Sequence, residues 1–412
     1  MKKFLSYLFN RFITILLYIS GSITSIIVIL IVIFLFSEGS GLFGKKPTEE
    51  GSIMAVNKSN KVKHLNAEQI KLIFDGEITN WKGVGGKNDS IILFRMDNIT
   101  DYLPEEFRDN PDSVEKFLGA NYELLPQRIS SVIDTMSGVI ALVNKKYIAK
   151  DFAGKELKID KITVTDFLFG KLWFPTAQPV AVFGALPLLL GTFWVSLFAI
   201  LFALPLGLAT AIYMAEVAHP TVRNILKPVI ELLSGIPSVV YGFFGLIVVV
   251  PFIQNTFNLP VGETALAGSI ILAIMALPTI ITISEDAIRT TPRSMKEASL
   301  ALGANQWQTI FRVILPYSSS GITAAAILGI GRAVGETMAV IMVTGNAAVI
   351  PHSLLQPVRT IPATIAAELG ETAQGGLHYQ ALFTLGCILF LITMIVNLAV
   401  EFISRRRKRV AD

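Results

Sequence analysis

The sequence predicts an α-helical integral membrane protein with six transmembrane helices and one small α/β domain outside the membrane. Hydrophobic residues make up 52% of the chain and charged residues only 16%, a balance typical of proteins that lie mostly in lipid. Six apolar runs reach the length of about 20 residues that a helix needs to cross a bilayer. A more polar stretch, residues 37–183, separates the first run from the second.

The six apolar runs give the expected topology. The first run has no Ala-x-Ala-like cleavage site and is too long for a signal-peptide core, so we expect it to remain as a helix. An even number of spans places both termini on the same side of the membrane. The runs lie at roughly residues 12–36, 188–215, 228–253, 263–284, 317–345 and 379–403.

The distribution of Lys and Arg predicts which side that is. Positive charge is concentrated in residues 1–11, 223–227, 289–312 and 406–412. The opposite connections carry almost none, since 254–262 has no Lys or Arg and 346–378 has only Arg359. Because positive segments stay in the cytoplasm, we expect a multi-pass protein of the inner or plasma membrane with both termini cytoplasmic. The basic tail then anchors on the anionic lipid bilayer, and no nucleic-acid partner is expected.

Residues 37–183 contain the patterns of a small α/β domain. Residues 66–69 predict a helix start of the capping-box type, followed by an apolar helix face. Two short apolar segments, 91–94 and 139–143, predict buried strands. The stretch is long enough to have a core of its own, so we expect an extracytoplasmic domain.

Two charged residues, Arg332 and Glu336, lie inside the fifth apolar run. A charge at the centre of a transmembrane helix costs about 2.5–3.5 kcal/mol, so their presence needs an explanation. Counting from Pro316 at about 1.5 Å per residue places Arg332 within the hydrocarbon, and the spacing of four puts both charges on one helix face. Small residues of the same run permit close helix approach or room for a solute: Gly329, Gly331 and Gly335.

The chemistry of this pair favours a substrate path. The planar fork of an arginine suits an oxyanion, because its paired donors match two oxygens. Glu336 would hold Arg332 in place or accept a hydrogen bond from a protonated oxyanion. The alternative is a buried ion pair that only locks helices together.

A second candidate segment lies between the fourth and fifth apolar runs. It resembles the EAA loop of ABC-importer permeases, in which Glu-Ala-Ala is followed by Gly and later by Ile-x-Leu-Pro. The matching residues are Glu297, Ala298, Gly303, Leu315 and Pro316, with Ser299 and Val313 at the two differing positions. The resemblance implies a coupling helix at about 290–316, here called the EAA segment, that docks into a cleft of a separate ATPase subunit. The alternative is an amphipathic helix at the lipid headgroups.

Residues 331–340 and 235–242 carry two further motifs, Gly-Arg-Ala-Val-Gly-Glu-Thr-Met-Ala-Val and Gly-Ile-Pro-Ser-Val-Val-Tyr-Gly. Together they resemble the phosphate-specific transport permeases of the PstC type, over roughly residues 184–405. The resemblance implies a type I (MetI-like) ABC importer permease fold in that range. It also implies a substrate path lined by Arg332, Glu336 and Thr337.

The same resemblance implies the partners of the chain: a dimer of ATP-binding subunits, a second permease of the PstA type and an extracytoplasmic phosphate-binding protein. We expect no catalytic site and no cofactor on this chain, since ATP is hydrolysed by a partner. Trp81 and Asn88 stand where a Gly-x4-Gly-Lys-Ser/Thr motif around Gly86-Lys87 needs Gly and a hydroxyl. Four scattered histidines and the single Cys387 give no metal-ligand spacing. The alternatives are a permease for molybdate, tungstate or sulfate, and a membrane sensor of external phosphate.

The outer domain has a resemblance of its own. Residues 65–98 and 129–143 are similar to parts of one lobe of phosphate-binding proteins. Asn98-Ile99-Thr100 stands where those proteins have a Ser-Gly-Thr turn that holds the oxyanion. The domain is therefore expected to serve docking or structure, with ligand binding as the alternative.

Overall fold

The computed structural model describes residues 2–48, 51–95, 118–119, 123–152 and 154–411. The chain divides into two compact units, residues 1–40 with 186–412 and residues 41–185, where the sequence suggested boundaries at 37 and 183. Helix α1, Lys2–Ser40, belongs to the first unit and precedes the second in the chain.

The unit of residues 41–185 is an α/β domain. Its elements are β1 Ser52–Val56, β2 His64–Leu65, α2 Ala67–Phe74, β3 Ile92–Phe94, α3 Leu125–Thr135, β4 Val139–Asn144, β5 Lys155–Ile159, α4 Val164–Phe169, β6 Trp173–Phe174 and β7 Val182–Phe183. Five strands form one sheet in the order β2-β5-β1-β4-β3, and β6 pairs with β7. Strand β1 runs antiparallel to β4 and β5, while β2 is parallel to β5 and β3 to β4.

Both faces of this sheet are buried, because successive side chains of a strand point to opposite sides. Met54 and Val56 of β1 pack in a cluster with Ile70 of α2. Ala55, between them, packs in a second cluster with Ile129 of α3. The central strand is therefore apolar at consecutive positions, with a helix on each side.

The predicted helix start in this domain is confirmed. The Asn66 side chain accepts a hydrogen bond from the Gln69 amide at 2.8 Å, and the Gln69 side chain accepts one from the Asn66 amide at 3.1 Å. The strand at 139–143 is confirmed as buried β4. The expectation of a buried strand at 91–94 is wrong in part, because β3 lies at the sheet edge and Ile92 is exposed. Asn98-Ile99-Thr100 lies outside the described residues.

The rest of the first unit is almost entirely helical. Its helices are α5 Leu186–Ile212, α6 Pro220–Ser234, α7 Ser238–Phe244, α8 Val250–Phe257, α9 Ala265–Arg289, α10 Arg293–Ala301, α11 Gln306–Thr309, α12 Leu315–Tyr317, α13 Ser319–Gly335, α14 Met338–Val343, α15 Ile361–Glu368 and α16 Leu377–Ala411. Three π-helical turns extend α5, join α7 to α8 and join α11 to α12: Tyr213–Val217, Gly245–Val249 and Ile310–Ile314.

Six membrane crossings agree with this architecture. Within the described ranges, five helical stretches are long and apolar enough to span a bilayer, and a sixth candidate is the pair Gln306–Tyr317 and Ser319–Gly335, bent by 70°. Two spans differ from the sequence expectation. The run at 228–253 is interrupted, so the third candidate span is Ser238–Phe257. The run at 317–345 is not one helix, because α13 ends at Gly335.

Helix α9 lies at the centre of this unit, since most of its side chains are buried. A Cβ atom added at Gly207 of α5 would lie 2.7 Å from Ile280 Cγ2, so α5 and α9 approach closely. Helix α1 contacts α16 near its second end, where the Thr384 hydroxyl donates to Gly39 O at 2.8 Å. The first half of α1 is exposed, as expected of a helix surrounded by lipid.

Candidate functional site

Arg332 and Glu336 do not share a helix face, contrary to the expectation from their spacing. Arg332 lies in the last turn of α13, and the helix ends at Gly335. Glu336 follows with extended backbone angles, φ −72° and ψ 133°. The chain bends by 70° between α12 and α13, so the helix that carries Arg332 begins at Ser319 and not at Pro316.

Glu336 and Thr337 form the short connection between α13 and α14. The Glu336 carboxylate accepts a long hydrogen bond from the Ala339 amide at 3.5 Å, and the Thr337 hydroxyl donates to Gly335 O at 3.3 Å. Among the described residues no ion pair joins Arg332 to Glu336, and both side chains are half-buried. The helix-locking ion pair is therefore absent from this arrangement.

The glycines of α13 have different surroundings. A Cβ atom added at Gly329 would lie 3.0 Å from Ile280 of α9, so this glycine permits close packing. The same atom at Gly331 or Gly335 would have no neighbour within 4 Å. The side of α13 that carries these two glycines is therefore not packed against other described residues.

Tyr241 lies near Arg332 at the break between α6 and α7. It is 6% exposed, packs in a cluster with Ala333, the residue after Arg332, and its hydroxyl donates a hydrogen bond to Leu233 O at 2.7 Å. In a regular helix Leu233 O would accept from the amide of residue 237, but Pro237 has no N–H. The Tyr241 hydroxyl supplies a donor to this carbonyl. One side chain thus connects the helix break to the surroundings of the arginine.

Helices α7 and α14 are in direct contact at Gly242. A Cβ atom at this position would lie 2.9 Å from Ala339 Cα and 2.8 Å from Met342 Sδ. Because α14 begins two residues after Glu336, this contact fixes where the Glu336 connection lies relative to Tyr241.

The EAA segment forms two helical arms rather than the single helix expected at 290–316: one is α10, and the other runs from α11 through the π turn to α12. Helix α10 ends at Ala301, and Gly303 follows in a left-handed conformation with φ +84°. Helix α11 starts with its own capping box, in which Asn305 and Gln308 bond each other's backbone amides at 2.8 and 2.9 Å. Glycine is favoured at Gly303 because a Cβ atom strains this backbone region.

The two arms of the EAA segment enclose a shallow groove of about 440 Å³. Its lining residues are Met295, Ala298, Ser299, Leu302, Ala304, Gln308, Arg312 and Val313. Leu302 is 90% exposed and Trp307 56% exposed, an unusual display for large apolar side chains. Of the predicted coupling residues, Glu297, Ala298, Gly303 and Pro316 are exposed, and Leu315 is half-buried.

The opposite side of the EAA segment is fixed to the helices of its own unit. Ile310 and Ile314 are buried in a cluster with Ala211 and Ile288. Lys296 forms an ion pair with Glu216, and the Gln306 amide donates to Glu216 O at 3.0 Å. The two ends of the segment are joined where the buried hydroxyls of Thr291 and Ser318 lie 3.1 Å apart.

Glu285 is a buried acidic residue that the sequence analysis did not select as a site residue. It is 1% exposed and contacts three cations: Arg223 at 2.8 Å, and Lys227 and Arg289 at 3.5 Å each. Burial lowers the pKa of Lys227, but the carboxylates of Glu285 and Asp286 outweigh that effect and raise the pKa above its ordinary value. Adjacent acidic residues four before Arg289 were the only sequence signal.

Within the residues that the structure describes, no group of three His, Cys, Asp or Glu side chains could hold a metal ion.

These features define a membrane transport permease, with charges beside an open helix side and a separate exposed groove. The chain belongs to the family of binding-protein-dependent transport system inner membrane components, which residues 203–409 match. This match confirms the importer permease fold expected from the sequence.

Three relatives are similar over most of their length. The chain is 41% identical over 250 residues to the probable ABC transporter permease protein YqgH of Bacillus subtilis, covering 61% of this chain and 81% of that protein. It is 39% identical over 259 residues to the phosphate transport system permease protein PstC of Mesorhizobium japonicum, covering 58% and 78%. It is 36% identical over 250 residues to PstC of Pasteurella multocida, covering 56% and 78%.

Proposed function

We propose that this chain is the permease subunit of an ATP-driven phosphate importer and forms half of its translocation pathway. Two of the similar relatives are phosphate transport system permeases. The observation that carries the proposal is Arg332, a half-buried cation in an apolar helix whose adjacent glycine positions border open space. A cation in such a position is an expected site for an anionic substrate.

Arg332 would bind the anion, and the carboxylate of Glu336 would keep the affinity low enough for release. The guanidinium offers paired donors to two phosphate oxygens. Glu336 and Thr337 follow on a short non-helical connection, so their side chains are placed independently of the α13 face. A carboxylate close to the site accepts a hydrogen bond from a protonated phosphate oxygen and repels a fully ionised one. Binding then remains weak enough for release.

The EAA segment would receive the ATPase. Its groove and the exposed side chains of Leu302 and Trp307 offer a partner an apolar surface. Its buried side packs against α5 and α9, so a displacement of the segment would also displace the ends of these helices. ATP would be hydrolysed by a dimer of ATP-binding subunits, with no catalytic site and no cofactor on this chain. A second permease would complete the pathway, and a soluble phosphate-binding protein would deliver the anion. Both termini and the EAA segment would then be cytoplasmic.

The test is ATP-dependent uptake of labelled phosphate by the assembled transporter in proteoliposomes. Arg332→Gln is compared with Arg332→Lys, which keeps the charge but loses the fork, and with Lys61→Gln, which removes an exposed cation from the outer domain. We expect uptake to be lost in Arg332→Gln, reduced in Arg332→Lys and unchanged in Lys61→Gln, at equal membrane abundance. Normal uptake in Arg332→Gln would remove Arg332 from the path. If the wild type takes up sulfate, molybdate or tungstate but not phosphate, the assignment of phosphate as the substrate is refuted.

A further inference from the structure

Glu285 joins two helices that lead to the two functional regions. The residue lies one turn before the end of α9, which continues through Thr291 into the EAA segment. Two of its cations, Arg223 and Lys227, come from α6. Helix α6 continues through the break at Gly235 to Tyr241.

The ion pairs with Glu285 and Asp286 are the main polar contacts that hold α6 against α9. Ile230 is the one buried residue of α6, all of which the structure describes, and it packs with Met214 and Ile281. Arg223 donates to Glu285 at 2.8 Å, and Lys227 reaches both Glu285 and Asp286. A buried carboxylate needs such partners, because an unpaired charge away from water is strongly destabilising.

The cluster lies on a continuous route through the unit. From the groove, the buried side of the EAA segment contacts Ile288 of α9, one turn from Glu285. From Glu285 the ion pairs lead to α6, and the Tyr241 hydroxyl bonds Leu233 at the far end of α6. Tyr241 in turn packs in a cluster with Ala333, the residue after Arg332.

We propose that Glu285 is a positioning residue that makes α6 move as one body with the end of α9 and the EAA segment. Displacement of the EAA segment by the ATPase then reaches the helix break at Gly235 and the surroundings of Arg332. This inference rests on the proposed transport function. A purely structural ion cluster would stabilise the fold without affecting how much transport each ATP produces.

The first measurement is a distance that needs no substrate. Spin labels are placed at Asn224→Cys on α6 and Ser294→Cys on α10, both exposed residues, with Cys387→Ser as background. The assembled transporter is measured by pulsed electron paramagnetic resonance with and without a non-hydrolysable ATP analogue. We expect one narrow distance, the same in both states, for the wild-type cluster. In Glu285→Gln we expect a broadened distance that shifts with nucleotide.

The second measurement is phosphate transported per ATP hydrolysed in proteoliposomes. We expect Glu285→Gln to lower the ratio several-fold, because ATP hydrolysis would continue while less of the displacement reaches Arg332. Glu285→Asp keeps the charge and restores part of the ratio. Glu231→Gln, an equivalent change at an exposed position of α6, leaves it unchanged.

The outcomes separate this inference from the proposed function. A wild-type label distance that changes with nucleotide, or an unaltered distance and ratio in Glu285→Gln, would overturn the positioning role. If Glu285→Gln does not assemble, Arg223→Lys is used instead, because its shorter side chain weakens the ion pair between α6 and Glu285. We expect this variant to lower the phosphate transported per ATP in the same way. Absence of phosphate transport by wild type would refute the substrate, while the label distances would still decide the role of Glu285.

Discussion

Gly242, beside the proposed substrate path, is expected to tolerate replacement by alanine poorly. In Gly242→Ala the new Cβ would lie 2.9 Å from Ala339 Cα. Carbon atoms pack best at about 3.5–4.0 Å, so α7 and α14 would have to separate by roughly 0.6–1.1 Å. The neighbouring atom belongs to the backbone of α14, which cannot rotate away as a side chain can. Overpacking of this kind costs about 1–3 kcal/mol.

The matched control is Gly331→Ala, where the added Cβ has no neighbour within 4 Å. Both glycines lie inside helical segments, and alanine gains about 1 kcal/mol over glycine there. That gain is common to both variants, so their difference reports the clash alone. We expect Gly242→Ala to be less stable than Gly331→Ala by about 1–3 kcal/mol.

The measurement is unfolding of the purified chain in mixed micelles by increasing SDS, followed by the helical circular dichroism signal. The difference in unfolding free energy between the variants is compared with the expected range. Equal stability of Gly242→Ala and Gly331→Ala would refute the reasoning, because it would show that α7 and α14 are not in contact at this point.

Three further variants test other features. Gly303→Ala places a Cβ at φ +84° and is expected to cost about 1 kcal/mol and weaken co-purification with the ATPase. Asn66→Ala removes a capping box and is expected to destabilise the outer domain by about 1 kcal/mol, seen as faster limited proteolysis of the full chain. The raised pKa of Lys227 means that its stabilising charge is present below the ordinary lysine value of about 10.4 and is lost as pH rises through the raised value. Lys227→Met should therefore flatten the alkaline fall in melting temperature.

The sequence predicted those features that depend on local composition. Apolar length is enough to find the membrane helices, because a lipid environment requires about 20 apolar residues whatever the fold. The capping box at Asn66 was predictable because four consecutive residues contain all its partners. A second box, at Asn305 and Gln308, carried the same signal and would have revealed the division of the EAA segment after Gly303.

Other features depend on contacts between distant residues. Glu285 resembles a boundary residue in sequence, and only the approach of Arg223, 62 positions away, makes it a buried charge. Arg332 and Glu336 have helical spacing, yet α13 ends between them. Glycine has a low helix propensity, so the glycines around these two residues indicated that the helix could end there. The spacing of four residues could not show whether it does.

The π-helical turn Ile310–Ile314 has a consequence for how this surface could change over evolution. A π turn closes its hydrogen bonds over five residues, so it holds one residue more than an α turn. Each residue of an α-helix advances the chain by about 100° of rotation. Because this turn takes up its extra residue locally, deleting one residue at Ile310–Ile314 would restore α-helical hydrogen bonding and leave the preceding groove facing nearly the same way. A deletion in the regular helix of the same arm would instead rotate the groove by about 100°. Single-residue deletions are therefore expected to be tolerated at this turn and to redirect the groove elsewhere in the arm.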